Sequence, residues 1–170
     1  MSAICTFGLD INMLEFMNTL DRLCEYNNWA NRLLFESFAE SSKMIPASCL
    51  RFLSHIVNVQ SIWMNRIRGE KQILSAWDEH GLEICKSWHE LTSAGLSAIV
   101  TEYDSDPFFK IEYRNNQGQL IENSITDILL HVFNHGTYHR AQIAQEMKHS
   151  GLNPVSTDYI IFSNLGLTHS

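Results

Sequence analysis

The chain has 170 residues, 45% of them hydrophobic and 18% charged, with a formal net charge of −7. These are the proportions of an ordinary globular protein, and residues 1–170 are read as a single domain around one core. Lys and Arg number 12 against 19 acidic residues, which argues against a nucleic-acid partner and against an anionic membrane surface, since both need a basic excess.

Met1 to Leu20 has no basic start and no sustained apolar run, so no signal peptide is expected. The first long helix is predicted over Ile11–Phe38, where Leu14, Met17, Leu20, Leu23, Cys24, Trp29, Leu33, Leu34 and Phe38 recur mostly at helical steps. Pro46 opens a second helix over Ala47–Arg68, with Phe52, Ile56, Val59, Ile62 and Trp63 as its stripe and Gly69 as its stop. A third runs over Leu82–Tyr103, interrupted in composition by Gly95. The period then changes: Phe109, Ile111 and Tyr113 alternate with charged residues, and Asn115-Asn116-Gln117-Gly118 is turn chemistry. Followed by Leu120-Ile121, this reads as a short β-hairpin packed on helices. Ser124 or Thr126 caps the last long helix, which ends at Gly151 and Pro154. The fold class is therefore all-α, a four-helix bundle with a short β-hairpin before the last long helix. No stretch approaches the roughly 20 apolar residues that span a bilayer.

Cys5, Cys24, Cys49 and Cys85 form no Cys-x-x-Cys, which excludes common zinc-knuckle spacing and gives no disulfide framework. A soluble, reduced, cytoplasmic protein is expected. Cys24, Cys49 and Cys85 fall at positions consistent with burial, and the four tryptophans read as core or groove lining. Asn27, Asn31 and Asn134 read as buried, hydrogen-bonded amides.

The chemistry concentrates in the last helix, where His131, His135 and His139 stand four residues apart. Residues at i and i+4 share a helix face, so neighbouring pairs can address one ion. His131 and His139 are about 12 Å apart along the axis, so the pair is His131/His135 or His135/His139, and spacing leaves both open. A third ligand is expected from a facing helix, giving three protein ligands and an open position. His55 lies on the shoulder of the second helix's stripe and is the best placed, with His89 the weaker alternative. Alone, His55 would more often be a satisfied core histidine; the facing pair is what lifts it. His80, His149 and His169 lie in a loop, a helix end and the tail. No Glu follows His131 or His135, so the metalloprotease base is missing, and the only Glu-x-x-His is Glu146 to His149, which does not make a di-iron site.

The run Leu129-Leu130-His131-Val132-Phe133-Asn134-His135-Gly136-Thr137-Tyr138-His139-Arg140-Ala141-Gln142-Ile143 resembles the hallmark helix of the DinB superfamily. Tyr26-Asn27-Asn28-Trp29-Ala30-Asn31, Ser54-His55-Ile56 with Trp63, Arg66 and Gly69, Tyr113 with Gly118, and Asn153 to Tyr159 resemble its other pieces in the same order. The resemblance implies an up-down-down-up bundle and a divalent metal, nickel or zinc, held by His55, His135 and His139. His131 is then a neighbouring polar residue. Ala141 stands where the family often has Gly.

Characterised members of that family include thiol-dependent S-transferases and a thiol-dependent isomerase. The resemblance thus implies a small-molecule thiol and an electrophilic substrate, with the ion activating the thiol. Metal-assisted hydrolysis, with Asp158 folding back as base, is the enzymatic alternative, and a non-catalytic metal-binding stress protein or structural dimer is another. Arg140 is the candidate contact for an anionic substrate, or else an ordinary ion-pair partner. The apolar tail, Tyr159 to Leu165, is expected to pack on a subunit or on its own bundle, and a homodimer is expected.

Overall fold

The computed structural model describes residues 7–115 and 117–166, with side chains from residue 19 onward. Helices α1 (Phe7–Glu40), α2 (Ala47–Arg68) and α3 (Leu82–Glu102) are followed by strands β1 (Lys110–Arg114) and β2 (Leu120–Ser124). Helix α4 (Ile125–His149) and the short α5 (Tyr159–Asn164) complete the order. The first helix is longer at both ends than the predicted Ile11–Phe38. The side chains of Leu14 and Met17, and all of Cys5 and His169, lie outside the described residues.

The boundaries follow local chemistry. Pro46 precedes α2, and Gly69 leaves it at φ 66°, a left-handed conformation that a side chain would oppose. At the start of α4, Ser124 Oγ accepts from the Asp127 N–H at 3.1 Å. Thr126, the other predicted cap, instead donates to the Pro107 carbonyl at 2.6 Å and ties the helix to the segment before β1. The antiparallel hairpin pairs Lys110 with Ser124 and Arg114 with Leu120. It rests on α2 through Tyr113, whose ring stands edge-on to Trp63 at 5.1 Å.

Side-chain pairs fix the direction of each helix. Ser54 meets Cys85, Gln60 meets Thr92 and Met64 meets Gly95, so α2 and α3 run parallel. Ser48 bonds Glu146 while His55 reaches His135, so α2 and α4 run antiparallel. Phe35 stacks on His89 while Leu20 packs with Ile99, so α1 and α3 are antiparallel. This is the up-down-down-up bundle, with α2 and α1 each flanked by α3 and α4. Parallel neighbours α2 and α3 require a long crossover, and residues 69–81 supply it by running back along α2. Lys71 accepts from Asn65, Asp78 from Asn58, and His80 bonds Ser54. Covered by two helices and this crossover, α2 is buried from Leu53 to Ile62. Each fully buried Leu or Ile there contributes about 1.5–3 kcal/mol.

The core has two apolar parts. One gathers Leu20, Cys24, Met64, Leu96, Leu129 and Phe133, and the other Leu34, Leu53, Ile56, Cys85, Ile143 and Met147. Between them on every helix fall buried polar residues: Asn27 and Asn31, Gln60 and Ser61, His89 and Thr92, and Arg140. Cys24, Cys49 and Cys85 are buried free thiols, as expected. The tail packs on its own bundle, where Phe162 is buried against Tyr26 and Trp29. No helix among the described residues is long and apolar enough to cross a membrane.

His89 is buried against Phe35, with Ser93 Oγ 3.1 Å from its Nδ1. Burial, aided by the positive charges of Arg32 and Arg140, pushes its pKa down from 6.5 to about 4. The unfolded chain therefore binds a proton that the folded chain refuses between those values, so stability falls as pH drops through that window. The loss is on the order of 3 kcal/mol when complete. Urea unfolding at pH 7 and at about pH 4.5 should show it, and His89→Leu should be less pH-sensitive by that amount. Equal pH sensitivity in the variant would refute the assignment.

Candidate metal centre

Helix α4 presents His135 and His139 toward α2, because positions four apart share a face and Val132 and Ile143 keep that side of the helix in the core. His55 comes from the buried run of α2, set among Leu53, Ile56 and Val57. The three imidazoles converge so that one ligating nitrogen of each lies within 4.8 Å of the others, a group that could hold a metal ion. His55 and His139 are buried and His135 is half-buried.

The tautomers are set by what the outer nitrogens meet. His55 Nδ1 donates to the Ala76 carbonyl at 2.7 Å. His139 Nδ1 donates to Gln142 Oε1 at 2.6 Å. Both rings therefore turn a bare Nε2 lone pair inward, the arrangement that metal-ligating histidines use. His55 Nε2 and His135 Nε2 stand 3.0 Å apart. With ligand bonds of roughly 2.0–2.1 Å, nitrogens so spaced suit a common ion with only slight opening.

Electrostatics favour the neutral, ligating form. The pKa of His135 is pushed down to about 3, first by burial and then by His139, His55 and His131. Burial also lowers His55 and His139, the latter opposed by its bond to Gln142. Three uncharged imidazoles at neutral pH are a donor set ready for a divalent cation. The residues present fit such an ion.

Aromatic rings frame the group. Trp77, from the crossover, stacks on His55 with centroids 3.6 Å apart and planes 8° from parallel. Phe52 stacks on His139 at 5.7 Å. His131 is exposed and faces Trp63 at 5.5 Å, one helical turn from His135. Of the two pairs that helical spacing left open, the structure joins His135 and His139 with His55.

The other sequence candidates lie elsewhere. His89 is on the α1–α3 side, and His80 bonds Asn58 Oδ1 at 2.9 Å within the crossover. Asn27 and Asn31 are buried as expected, whereas Asn134 is exposed, on the wall of a cavity it shares with Tyr26 and Arg140. Arg140 is buried and makes neither of the ion pairs found among the described residues. Asp158 lines a cavity with Tyr26 and Arg140, and the three-histidine group includes no carboxylate. Ala76 and Gln142 were missed by sequence reasoning. Gln142 had a signal, three residues after His139 on one helix, but a backbone carbonyl such as that of Ala76 has none.

A sequence model of the DinB family matches residues 16–166. The chain is similar to "Protein DinB" of Bacillus subtilis (strain 168), 26% identical over an alignment of length 167 that covers 83% of this chain and 91% of that protein. With the bundle topology, the hairpin and the histidine group in the order described, the chain belongs to the DinB family.

Proposed function

We propose that the protein is a metal-dependent thiol S-transferase whose nickel or zinc ion is held by His55, His135 and His139. The observation that carries this reading is the convergence of three neutral imidazoles, two of them locked with Nε2 inward, in a group free of carboxylates. A divalent ion bound there would supply the Lewis acidity that lowers a thiol's pKa into the neutral range. The residues do the rest. His55, His135 and His139 would hold the ion with three nitrogens, which leaves a position open to a small molecule. With no carboxylate in the group to take a proton from water, hydrolysis is disfavoured against attack by sulfur. The sulfur forms a bond to the electrophilic carbon, the leaving group departs with its electron pair, and the thiol proton passes to solvent.

Trp77 is 50% exposed and Tyr138 63%, and both border the histidines. They offer an apolar face on which the electrophile rests. Protein loaded with nickel or zinc should conjugate a low-molecular-weight thiol to an aryl halide faster than the free ion does, measured as thioether formed. A protein that holds its ion yet conjugates none of a panel of thiols would sink the reading. Trp77→Ala should keep the ion and lower kcat/KM for the aryl acceptor by about tenfold. This reading has the protein acting in the cytoplasm as a homodimer, with Ile160 and Leu165 exposed on α5 and just beyond it as an apolar contact surface. Light scattering on the purified protein checks the dimer.

A further inference from the structure

The bundle buries a cation and answers it with neutral groups. Arg140 is 1% exposed. Its Nη1 donates to Asn27 Oδ1 and Asn31 Oδ1, both at 3.0 Å, and its Nη2 donates to Thr137 Oγ1 at 2.9 Å. The Tyr26 ring lies 5.2 Å below the guanidinium. Neither ion pair among the described residues includes it. A buried guanidinium without a counter-charge is costly, so the cluster is short of negative charge.

It is short of acceptors too. Arg140 Nε is buried without a partner, and so are the Nδ2 groups of Asn27 and Asn31. All three are donors. Arg140 also forms part of the wall of a cavity of about 550 Å³ between α1, α4 and residues 155–159. Leu23, Phe133, Ala141 and Ala144 make much of that wall apolar. Tyr26 pins the outer side by donating to the Thr157 carbonyl at 2.7 Å.

We propose that this cavity binds a small organic monocarboxylate. Its apolar body lies against Leu23, Phe133 and Ala144, and its carboxylate accepts from the Arg140 guanidinium beside Thr137. The walls select against a bare inorganic anion, which would leave them wet. The guanidinium selects against a neutral analogue, which would leave the charge unanswered. Asp158 on the rim, accepting from Ser156 Oγ at 3.2 Å, adds a repulsion that disfavours multiply charged ligands. This site lies on the α1 side of α4, away from the three histidines, and does not depend on what they bind.

The test titrates the full-length protein with benzoate, benzyl alcohol and inorganic phosphate, following heat and the Arg140 Nε–H resonance. Benzoate should saturate and move that resonance, with the other two weaker by at least about tenfold. Ala141→Phe fills the cavity from an exposed position without touching the hydrogen-bond partners of Arg140, and should abolish benzoate binding while the fold persists by circular dichroism. Arg140→Met should abolish it as well, and if that variant fails to fold, Ala141→Phe decides alone. Benzoate binding no tighter than benzyl alcohol, no binding at all, or wild-type binding in Ala141→Phe would each overturn the proposal.

Discussion

His135→Ala is expected to leave the protein without its divalent ion. The ring of His135 closes a triangle with the other two, with centroids 4.8 Å from His55 and 4.4 Å from His139. Removing it leaves two donors on separate helices and a gap where the third nitrogen stood. Changing a mere hydrogen-bond partner of a ligand costs about 10- to 100-fold in affinity, so losing a ligand should exceed about 100-fold. Gln142→Leu, which frees His139 to rotate, should fall inside that smaller range. His131→Ala should bind like the wild type, because that ring faces Trp63 rather than the group. Elemental analysis and competition with a chelator measure all three. An ion lost in His131→Ala but kept in His139→Ala would reassign the pair.

Gly136→Ala is expected to destabilise the fold by about 2–4 kcal/mol, although helix propensity alone would favour Ala by about 1 kcal/mol. A Cβ there would come within 2.8 Å of Asn27 Oδ1 and 2.9 Å of Arg140 Nη1. Those atoms belong to the cluster that satisfies the buried guanidinium, so they cannot yield without leaving donors bare. The melting temperature should drop by roughly 5–15 °C. Gly95→Ala meets a different obstacle: its Cβ would overlap the Met64 sulfur, in the middle of a side chain buried in the core, so Met64 would have to repack. That variant should also lose stability, by about 1–3 kcal/mol. Equal melting of Gly136→Ala and the wild type would refute the packing argument.

The bundle was legible because each long segment keeps a helical period and the breaks between segments carry Pro46, Gly69 and Gly151. The hairpin was legible from alternation flanking a Gly-containing turn. For the candidate site, helix geometry reduced the triplet to two possible pairs. His55 stood out because its place in an apolar stripe showed which way its helix faced. What sequence did not reveal is tertiary. Arg140 read as a contact for an anionic substrate or an ion-pair partner, since nothing local announces burial of a guanidinium among neutral groups. The spacing that accommodates it, Asn27 and Asn31 on one helix and Gly136 on another, has meaning only once the two helices are known to touch. Asn134 read as buried, yet it is exposed on the wall of the cavity beside Tyr26, which no local pattern announces.

The crossover of residues 69–81 touches its histidine ligand candidate twice, through the Ala76 carbonyl and through the Trp77 ring. The Ala76 carbonyl would present the same oxygen to His55 whatever side chain position 76 carried. Position 76 is thus relieved of sequence constraint, while Trp77, its neighbour, stacks one face on His55 and leaves half its surface exposed. Drift at position 76 would leave the hydrogen bond to His55 intact, whereas a change at Trp77 would alter both the packing on His55 and the surface a visiting molecule meets. The crossover is the natural place for relatives to diverge in what they accept, and for a designer to graft a new preference without rebuilding the helices.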